Sequence, residues 1–369
     1  MGEKEPVRVL HVVQRMEAAG LQSFIMNIYR ELDRTKVQFD FLVHYTERQF
    51  YDDEIESMGG RIYRLSIRED KNIIKYFWEL HAFFEKHREY KIVHGHMDSL
   101  GVFYLAAAKK ANIPCRIAHA HTVLIGGGIK RTIRNLLNRQ FKRNATLLLA
   151  CSNMAGEYMF GNSAFHVIHN PIKVNSFKFN PSVRRDVQEE LHINNNVVIG
   201  HVGRFSFPKN HKFLLDVFEE LLKKESTAKL LLIGTGELEG EIRMMIEKRG
   251  LNNSVLLGGV RSDINRIYQA MDAFVFPSLY EGLGIVAIEA QAAGLPTICS
   301  ERIPKLAQVT DLFSALSLDE SPEVWAKHIL SVLRNTRNDR SQYYQELINA
   351  GYDVSQVKTE LLKFYGIEF

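Results

Sequence analysis

Cysteine is scarce in this 369-residue chain, and the three that occur lie far apart. Cys115, Cys151 and Cys299 form no Cys-x-x-Cys pair and no Cys/His cluster, so the sequence predicts free thiols, a reducing compartment and no structural zinc site. No run of apolar residues approaches 18, which argues against a membrane-spanning helix. The first six residues, MGEKEP, are charged, so we expect no signal peptide and predict a cytoplasmic protein.

Net charge is also small, at 47 basic against 43 acidic residues, which gives no reason to expect nucleic-acid binding. The charge is uneven, because residues 1–173 contain 25 basic and 18 acidic residues whereas residues 174–369 contain 22 and 25. Much of the basic excess lies in residues 129–144, IKRTIRNLLNRQFKRN, where six cations accompany apolar residues at helical spacing. This segment is either a surface helix packed on a sheet or an interfacial helix that contacts anionic lipid.

Strand-like apolar runs alternate with helical patterns in two series, and this alternation predicts parallel sheets. Between the series lies a polar stretch that begins after His169-Asn170-Pro171. We therefore predict two doubly wound α/β domains, residues 1–173 and 174–352, with a C-terminal helix at about 353–369 that packs back onto the first. Such sheets bind ligands beyond the carboxyl ends of their strands, so a site is expected in the cleft between two facing domains.

The most informative segment is residues 274–296, FVFPSLYEGLGIVAIEAQAAGLP. A strand ends at its proline, and Gly282-Leu283-Gly284 then opens a helix whose free N–H groups and dipole suit a phosphate. Glu281 precedes this helix and Glu289 lies about two turns along it, so the two carboxylates are placed to contact one elongated ligand at separate points. Taken alone, the pair is equally consistent with a helix cap and a solvated side chain.

This segment resembles the E-x7-E motif of retaining glycosyltransferase family 4, which has the GT-B fold of two Rossmann-like domains facing across a cleft. The resemblance extends over nearly the whole chain and is to an exopolysaccharide and capsule subgroup. It implies a nucleotide diphosphate sugar donor, expected to be a UDP-sugar, with Glu281 on hydroxyls of the transferred sugar and Glu289 on those of the ribose. The segment HVGRFSFPKNH resembles the family's G-R-x4-K-N motif, which implies that Arg204 and Lys209 bind the diphosphate.

A second glycine-rich segment, LLLIGTGELEG, suggests a dinucleotide fingerprint at first sight. Its spacing is G-x-G-x-x-x-G, and no acidic residue ends a strand about 20 residues on, so the match is weak. We interpret Gly234 and Gly236 as a loop near the nucleotide, and the resemblance implies that the backbone of Val260 also borders the base. Ordinary turn chemistry is the alternative for each of these residues.

In the first domain, Ala18-Ala19-Gly20 follows the first strand, where the subgroup usually has a Gly-Gly pair. Ala19 departs from that pattern, and its methyl group restricts the approach of a donor phosphate to this loop. Gly20 remains a predicted donor contact.

Two His-x-His pairs lie at strand ends, His94 with His96 and His119 with His121. Such spacing on a strand points both rings to one face, which suits a metal ion, but no Asp/Glu pattern completes a coordination shell. The resemblance implies that one histidine projects near the transferred sugar, with His121 preferred as a catalytic group and His119 as a donor contact. Capping of a strand end by hydrogen bonding is the alternative.

Together these motifs predict a metal-independent glycosyltransferase that needs no cofactor beyond its nucleotide-sugar substrate. Its other partners are a saccharide or lipid-linked acceptor and, at the inner face of the cell membrane, anionic lipid. Two alternatives remain open: a GT-B sugar-nucleotide 2-epimerase, which needs no acceptor, and a non-catalytic carbohydrate-binding protein.

Overall fold

Two parallel β-sheets organise the chain, and each belongs to its own compact unit. The first unit comprises residues 1–171 and 354–369, and the second comprises residues 172–353. The computed structural model describes residues 5–17, 20–97, 100–121, 141, 143–335 and 339–367. The predicted α/β class with parallel sheets is confirmed.

The first unit has seven parallel strands among its described residues. They are β1 Val7–Val12, β2 Val37–Val43, β3 Ile62–Arg64, β4 Ile92–Gly95, β5 Cys115–Ala120, β6 Leu147–Ala150 and β7 His166–Val167. The helices between them are α1 Gly20–Arg30, α2 Asp52–Ser57, α3 Ile67–Asp70, α4 Ile73–Lys86, α5 Gly101–Lys110 and α6 Asn153–Phe160. The strand order is β3-β2-β1-β4-β5-β6-β7, so the direction of winding reverses between β1 and β4.

The second unit repeats this plan with six parallel strands in its described part. They are β8 Val198–Val202, β9 Lys229–Ile233, β10 Val255–Leu257, β11 Ala273–Phe276, β12 Thr297–Ser300 and β13 Phe313–Leu316, in the order β10-β9-β8-β11-β12-β13. The helices are α7 Val174–Phe177, α8 Pro181–Glu190, α9 His211–Leu222, α10 Glu239–Lys248, α11 Ile264–Ala270, α12 Ile285–Ala292, α13 Pro322–Asn335 and α14 Tyr343–Asn349. Winding reverses here between β8 and β11.

The strands are apolar because helices cover both faces of each sheet. All four residues of β11 are buried. Its side chains alternate between two cores, with Phe274 and Phe276 in one and Ala273 and Val275 in the other. This period of two is the pattern expected of a strand buried on both sides.

Several helices begin where the sequence places a capping side chain. The Asn180 side chain accepts from the N–H groups of Ser182 and Val183 at 2.9 and 3.4 Å, and Pro181 occupies the first helical position of α8. Ser152 caps α6 in the same way through the N–H of Ala155. Each cap satisfies donors that a helix leaves free in its first turn.

The last helix, α15 Val354–Phe364, returns to the first unit. Its apolar residues Val357 and Leu361 join the core that contains Ile25 and Ile28 of α1. The Lys358 ammonium donates to a backbone carbonyl at the end of α1, 3.0 Å away. The first unit is thus completed by the end of the chain.

Two predicted features fall partly or wholly outside the described residues. The basic segment 129–144 is described only at residues 141, 143 and 144, and Ala19 is not described. The three cysteines are free thiols, as predicted. Of the helices in the described part of the chain, none combines the length and the apolar content that a membrane span needs.

Candidate active site

In the second unit the loops that follow β8 and β11 meet where the strand order reverses, which is where doubly wound sheets bind ligands. The Leu279 N–H donates to the carbonyl of Pro208 at 2.8 Å, and the Asn210 side-chain amide donates to the carbonyl of Pro277 at 3.2 Å. These bonds hold the turn before α9 against the loop after β11. Two loops that carry predicted donor-binding residues therefore lie together.

Lys209 and Glu281 form an ion pair between these loops, with 2.5 Å from Nζ to Oε1. Their side chains are only 18% and 13% exposed, and the Lys209 ammonium lies 4.9 Å from the centre of the Phe276 ring. An ammonium has three donors, and Glu281 accepts from one of them. The pair therefore presents a cation with spare donors beside a carboxylate, in a site largely screened from water.

Arg204 lies at the surface of the loop after β8. Its side chain is 73% exposed, and Nε donates to Glu237 Oε2 at 3.0 Å, with Glu237 also exposed. An exposed pair of this kind contributes little to stability. The guanidinium is therefore free to exchange Glu237 for another anion at small cost.

The turn Gly282-Leu283-Gly284 joins Glu281 to α12. Gly284 has φ +80, a left-handed conformation that suits glycine, and its carbonyl accepts the N–H of Ala287 at 2.9 Å. A methyl group at Gly282 would meet no atom within 4 Å, so the backbone there is open to a ligand. The Leu283 side chain packs against the core and anchors the turn. The turn thus leads directly into the N-terminus of α12, where the helix dipole favours an anion.

Glu289 lies further along α12, and Tyr268 of α11 contacts it. The Tyr268 hydroxyl lies 3.1 Å from Glu289 Oε2 and 3.1 Å from the carbonyl of Val286. Loss of hydration raises the pKa of Glu289 to about 7, and the hydrogen bond from Tyr268 opposes this rise. Tyr268 had no sequence signal beyond an aromatic residue in a helix, because its contact joins two helices in space.

Gly234 and Gly236 have a structural reason to be glycine. A methyl group at Gly234, where φ is +136, would lie 2.1 Å from the carbonyl oxygen of Gly203, and one at Gly236 would lie 2.4 Å from that of Phe205. The loop after β9 thus approaches the loop after β8 more closely than any side chain permits. Val260, in the loop after β10, is 75% exposed.

In the first unit, five histidines lie together at the carboxyl ends of three neighbouring strands. They are His11, His94, His96, His119 and His121. All are buried except His121, which is partly buried, and loss of hydration lowers the pKa of every one of them. The imidazoles are therefore neutral at ordinary pH.

The five rings form two hydrogen-bonded chains. In one, His96 lies 2.9 Å from His121 and 2.9 Å from His11. In the other, His94 lies 2.7 Å from the Tyr365 hydroxyl and 3.1 Å from His119. The structure thus brings both predicted histidine pairs together and adds His11, which sequence reasoning missed.

Helix α1 supplies the other predicted element of the first unit. Phe24 packs against the cluster, with its ring centre 5.2 Å from that of His119 and 5.5 Å from that of His121. Gly20 begins this helix, and a methyl group there would meet no atom within 4 Å. Its backbone is therefore accessible, as a donor contact requires.

Two family models match the chain. The model described as "Glycosyl transferases group 1" matches residues 183–353, and the model described as "Glycosyl transferase 4-like domain" matches residues 19–171. Together they cover most of both compact units.

Several named proteins are similar over most of their length. EpsF of Bacillus subtilis (strain 168), which is named as a glycosyltransferase, is 35% identical over 98% of this chain and 96% of its own. The capsular polysaccharide biosynthesis glycosyltransferase CapH of Staphylococcus aureus is 27% identical over 97% and 98%. The Escherichia coli UDP-Gal:alpha-D-GlcNAc-diphosphoundecaprenol alpha-1,3-galactosyltransferase is 24% identical over 80% and 79%.

Among solved structures, the crystal structure of HepE from Anabaena in complex with UDP is similar over 97% of this chain and 99% of its own. The TM-score is 0.79 at 19% sequence identity, so the likeness concerns the fold.

Proposed function

This chain belongs to glycosyltransferase family 4, with the GT-B fold, and on that premise we propose that it transfers a hexose from a UDP-sugar to a lipid-linked saccharide with retention of configuration. It is a glycosyltransferase of the exopolysaccharide and capsule type. The observation that carries the proposal is the Lys209–Glu281 pair beside the turn at Gly282. A cation, a carboxylate and a glycine turn at the N-terminus of a helix, all in one site, match the phosphates and hydroxyls of a nucleotide diphosphate sugar.

For the donor, each group of the second unit has a chemical counterpart. Lys209, Arg204 and the turn that follows Glu281 hold the diphosphate, and Glu281 accepts hydrogen bonds from hydroxyls of the transferred sugar. Glu289 accepts those of the ribose. The loops of Gly234, Gly236 and Val260 border the base. The UDP complex of HepE, which shares the fold, supports the choice of uridine.

The proposed reaction uses these groups as follows. The acceptor hydroxyl oxygen attacks the anomeric carbon on the face from which the diphosphate departs, the bond from that carbon to the phosphate oxygen breaks, and the diphosphate takes the acceptor proton. Lys209 and Arg204 stabilise the charge that grows on the diphosphate. His121, kept neutral by loss of hydration, contributes hydrogen bonding near the transferred sugar, with His119 and Gly20 as further donor contacts.

One assay separates transfer from the alternatives. Labelled UDP-hexoses are incubated with the protein, with and without a diphosphate-linked lipid acceptor, and free UDP and labelled lipid are measured. Transfer gives UDP and labelled lipid in equal amounts only when acceptor is present. Conversion of the donor to its epimeric UDP-sugar, without acceptor and without net release of UDP, indicates an epimerase, and binding without turnover indicates a non-catalytic protein.

The acceptor implies contact with a membrane surface. The Escherichia coli relative is named for a sugar on diphosphoundecaprenol, which is a lipid-linked acceptor. The six cations in residues 129–144 suit anionic lipid, each contributing about 1 kcal/mol near the surface before screening by salt.

We expect salt-sensitive co-sedimentation of the protein with anionic vesicles and little with neutral ones. A variant in which Arg134, Arg139, Lys142 and Arg143 are all changed to serine should co-sediment less with anionic vesicles. Equal co-sedimentation of the variant and the unchanged protein would contradict this contact.

Transfer is expected to need no divalent metal ion, because Lys209, Arg204 and backbone N–H groups supply the positive charge at the leaving group. EDTA should therefore leave the rate within about twofold of the untreated enzyme. Initial rates with and without EDTA test this prediction. A rate abolished by EDTA and restored by a divalent ion would contradict it.

Binding of UDP is expected to strengthen as pH rises through neutrality. With a pKa of about 7, the Glu289 side chain is mostly protonated at about pH 6 and mostly ionised at about pH 8, and the ionised form is the stronger acceptor of hydrogen bonds from the ribose hydroxyls. This contributes up to about tenfold in affinity over that range.

The matched control is Glu289→Gln, which has no charge to lose. Titration of the UDP phosphate is common to both proteins, so the difference between their calorimetric pH profiles isolates Glu289. Parallel profiles for the two proteins would count against a ribose contact by Glu289.

A further inference from the structure

We propose that His96, His119 and His121 bind a divalent transition-metal ion, for which Zn²⁺ and Cu²⁺ are the best chemical match. One nitrogen from each ring can be chosen so that all three lie within 4.8 Å of one another. Imidazole nitrogen is a preferred ligand of both ions, and three histidines leave a coordination position for water or another ligand.

Two nitrogens of this trio have no hydrogen-bond partner among the described residues. They are His119 Nε2 and His121 Nδ1, and both atoms are buried. A buried polar atom without a partner is costly and is usually satisfied by a group that binds there.

The first hydrogen-bonded chain is unsatisfied whichever way its protons are arranged. A neutral imidazole has one N–H donor. If the donors point from His121 through His96 towards His11, the N–H of His11 at Nε2 has no acceptor; if they point the other way, the N–H of His121 at Nδ1 has none. Only the first arrangement leaves the lone pair of His121 Nδ1 available to a cation.

A second trio of the cluster, His11 with His94 and His96, meets the same distance limit. His11 and His94 are fully buried, and the His11 ring centre lies 4.2 Å from that of Phe39. His121 is only partly buried, so an ion and its water can reach the trio of His96, His119 and His121, which we call the outer trio. We therefore assign the site to the outer trio.

The test uses full-length protein without a polyhistidine tag, stripped with a chelator and then dialysed. Zn²⁺ alone is titrated by calorimetry, and Co²⁺ is titrated by visible absorption, which reports the coordination number. We expect one ion per chain and a tetrahedral Co²⁺ spectrum. Replacing His96, His119 or His121 with asparagine should weaken binding by about tenfold or more, since even the partners behind metal ligands contribute that much.

The matched control is His192→Asn. His192 is exposed and has φ 54, a conformation that asparagine accepts readily, so this variant removes a histidine without strain or loss of a buried contact. It should bind Zn²⁺ like the unchanged protein. His11→Asn should also retain binding, because His11 is outside the outer trio.

Three results would overturn the assignment: no binding by the stripped protein, binding that survives all three changes, or binding lost in His11→Asn but kept in His121→Asn. Circular dichroism and thermal unfolding check each variant, and partly buried His121 is the safest of the three to replace. Since the readouts measure binding and the proposed transfer needs no metal ion, either proposal can fail without the other.

Discussion

Replacing Lys209 with alanine is expected to lower turnover about 100-fold or more while the fold stays intact, a loss of about 2.7 kcal/mol of transition-state stabilisation. The ammonium is placed where negative charge grows as the diphosphate departs, and its side chain is mostly buried. Removing it also leaves the Glu281 carboxylate without its cation, beside the phosphates. Repulsion then adds to the lost attraction, so the effect should exceed that of removing a surface charge.

Turnover is measured at saturating donor, with unfolding temperature as the check on the fold. The matched control is Lys212→Ala, because Lys212 is exposed on the first turn of α9, three residues from Lys209. It removes the same charge from the same region and should leave turnover within about twofold. Near-normal turnover in a folded Lys209→Ala variant would remove Lys209 from the site.

Glu281→Gln is expected to lower turnover by about 100-fold as well, for a different reason. Glutamine keeps the size of the side chain and one carbonyl oxygen but loses the negative charge. Its hydrogen bonds to the sugar hydroxyls are therefore weaker, and it no longer stabilises the positive charge that develops at the anomeric carbon. It also releases Lys209 from its ion pair. Glu247→Gln, an exposed position on α10, is the control for the loss of one negative charge.

The two changes should not be additive, because Lys209 and Glu281 are in direct contact. If each costs about 100-fold, the double variant should lose less than the product of about 10,000-fold. Strict additivity would show that the two side chains act independently, and unchanged turnover in Glu281→Gln would contradict its contact with the sugar.

Much of the fold is predictable from the sequence because the signals are local. The alternation of apolar runs with helical patterns specifies strands and helices within short windows. A chain of such βα units gives parallel sheets, because successive strands joined by helices must run the same way. The predicted class was therefore correct.

The predicted site residues also come from short segments, each of which follows a strand. Lys209 follows β8 and Glu281 follows β11, and both segments carry motif signals of their own. Their contact is different in kind, because the two residues are 72 positions apart. Only the order β10-β9-β8-β11 makes β8 and β11 neighbours and brings the two loops together.

The sequence by itself therefore determined the class of the fold, the elements and the family motifs, because hydrophobic period, caps and glycine turns act over a few residues. The tertiary structure alone decided which distant side chains share a site. It paired Glu289 with Tyr268 and Arg204 with Glu237, and it added His11 to the two histidine pairs. Such contacts depend on strand order and helix packing, which arise from burial of apolar surface over the whole unit. No short segment of the sequence therefore predicts them.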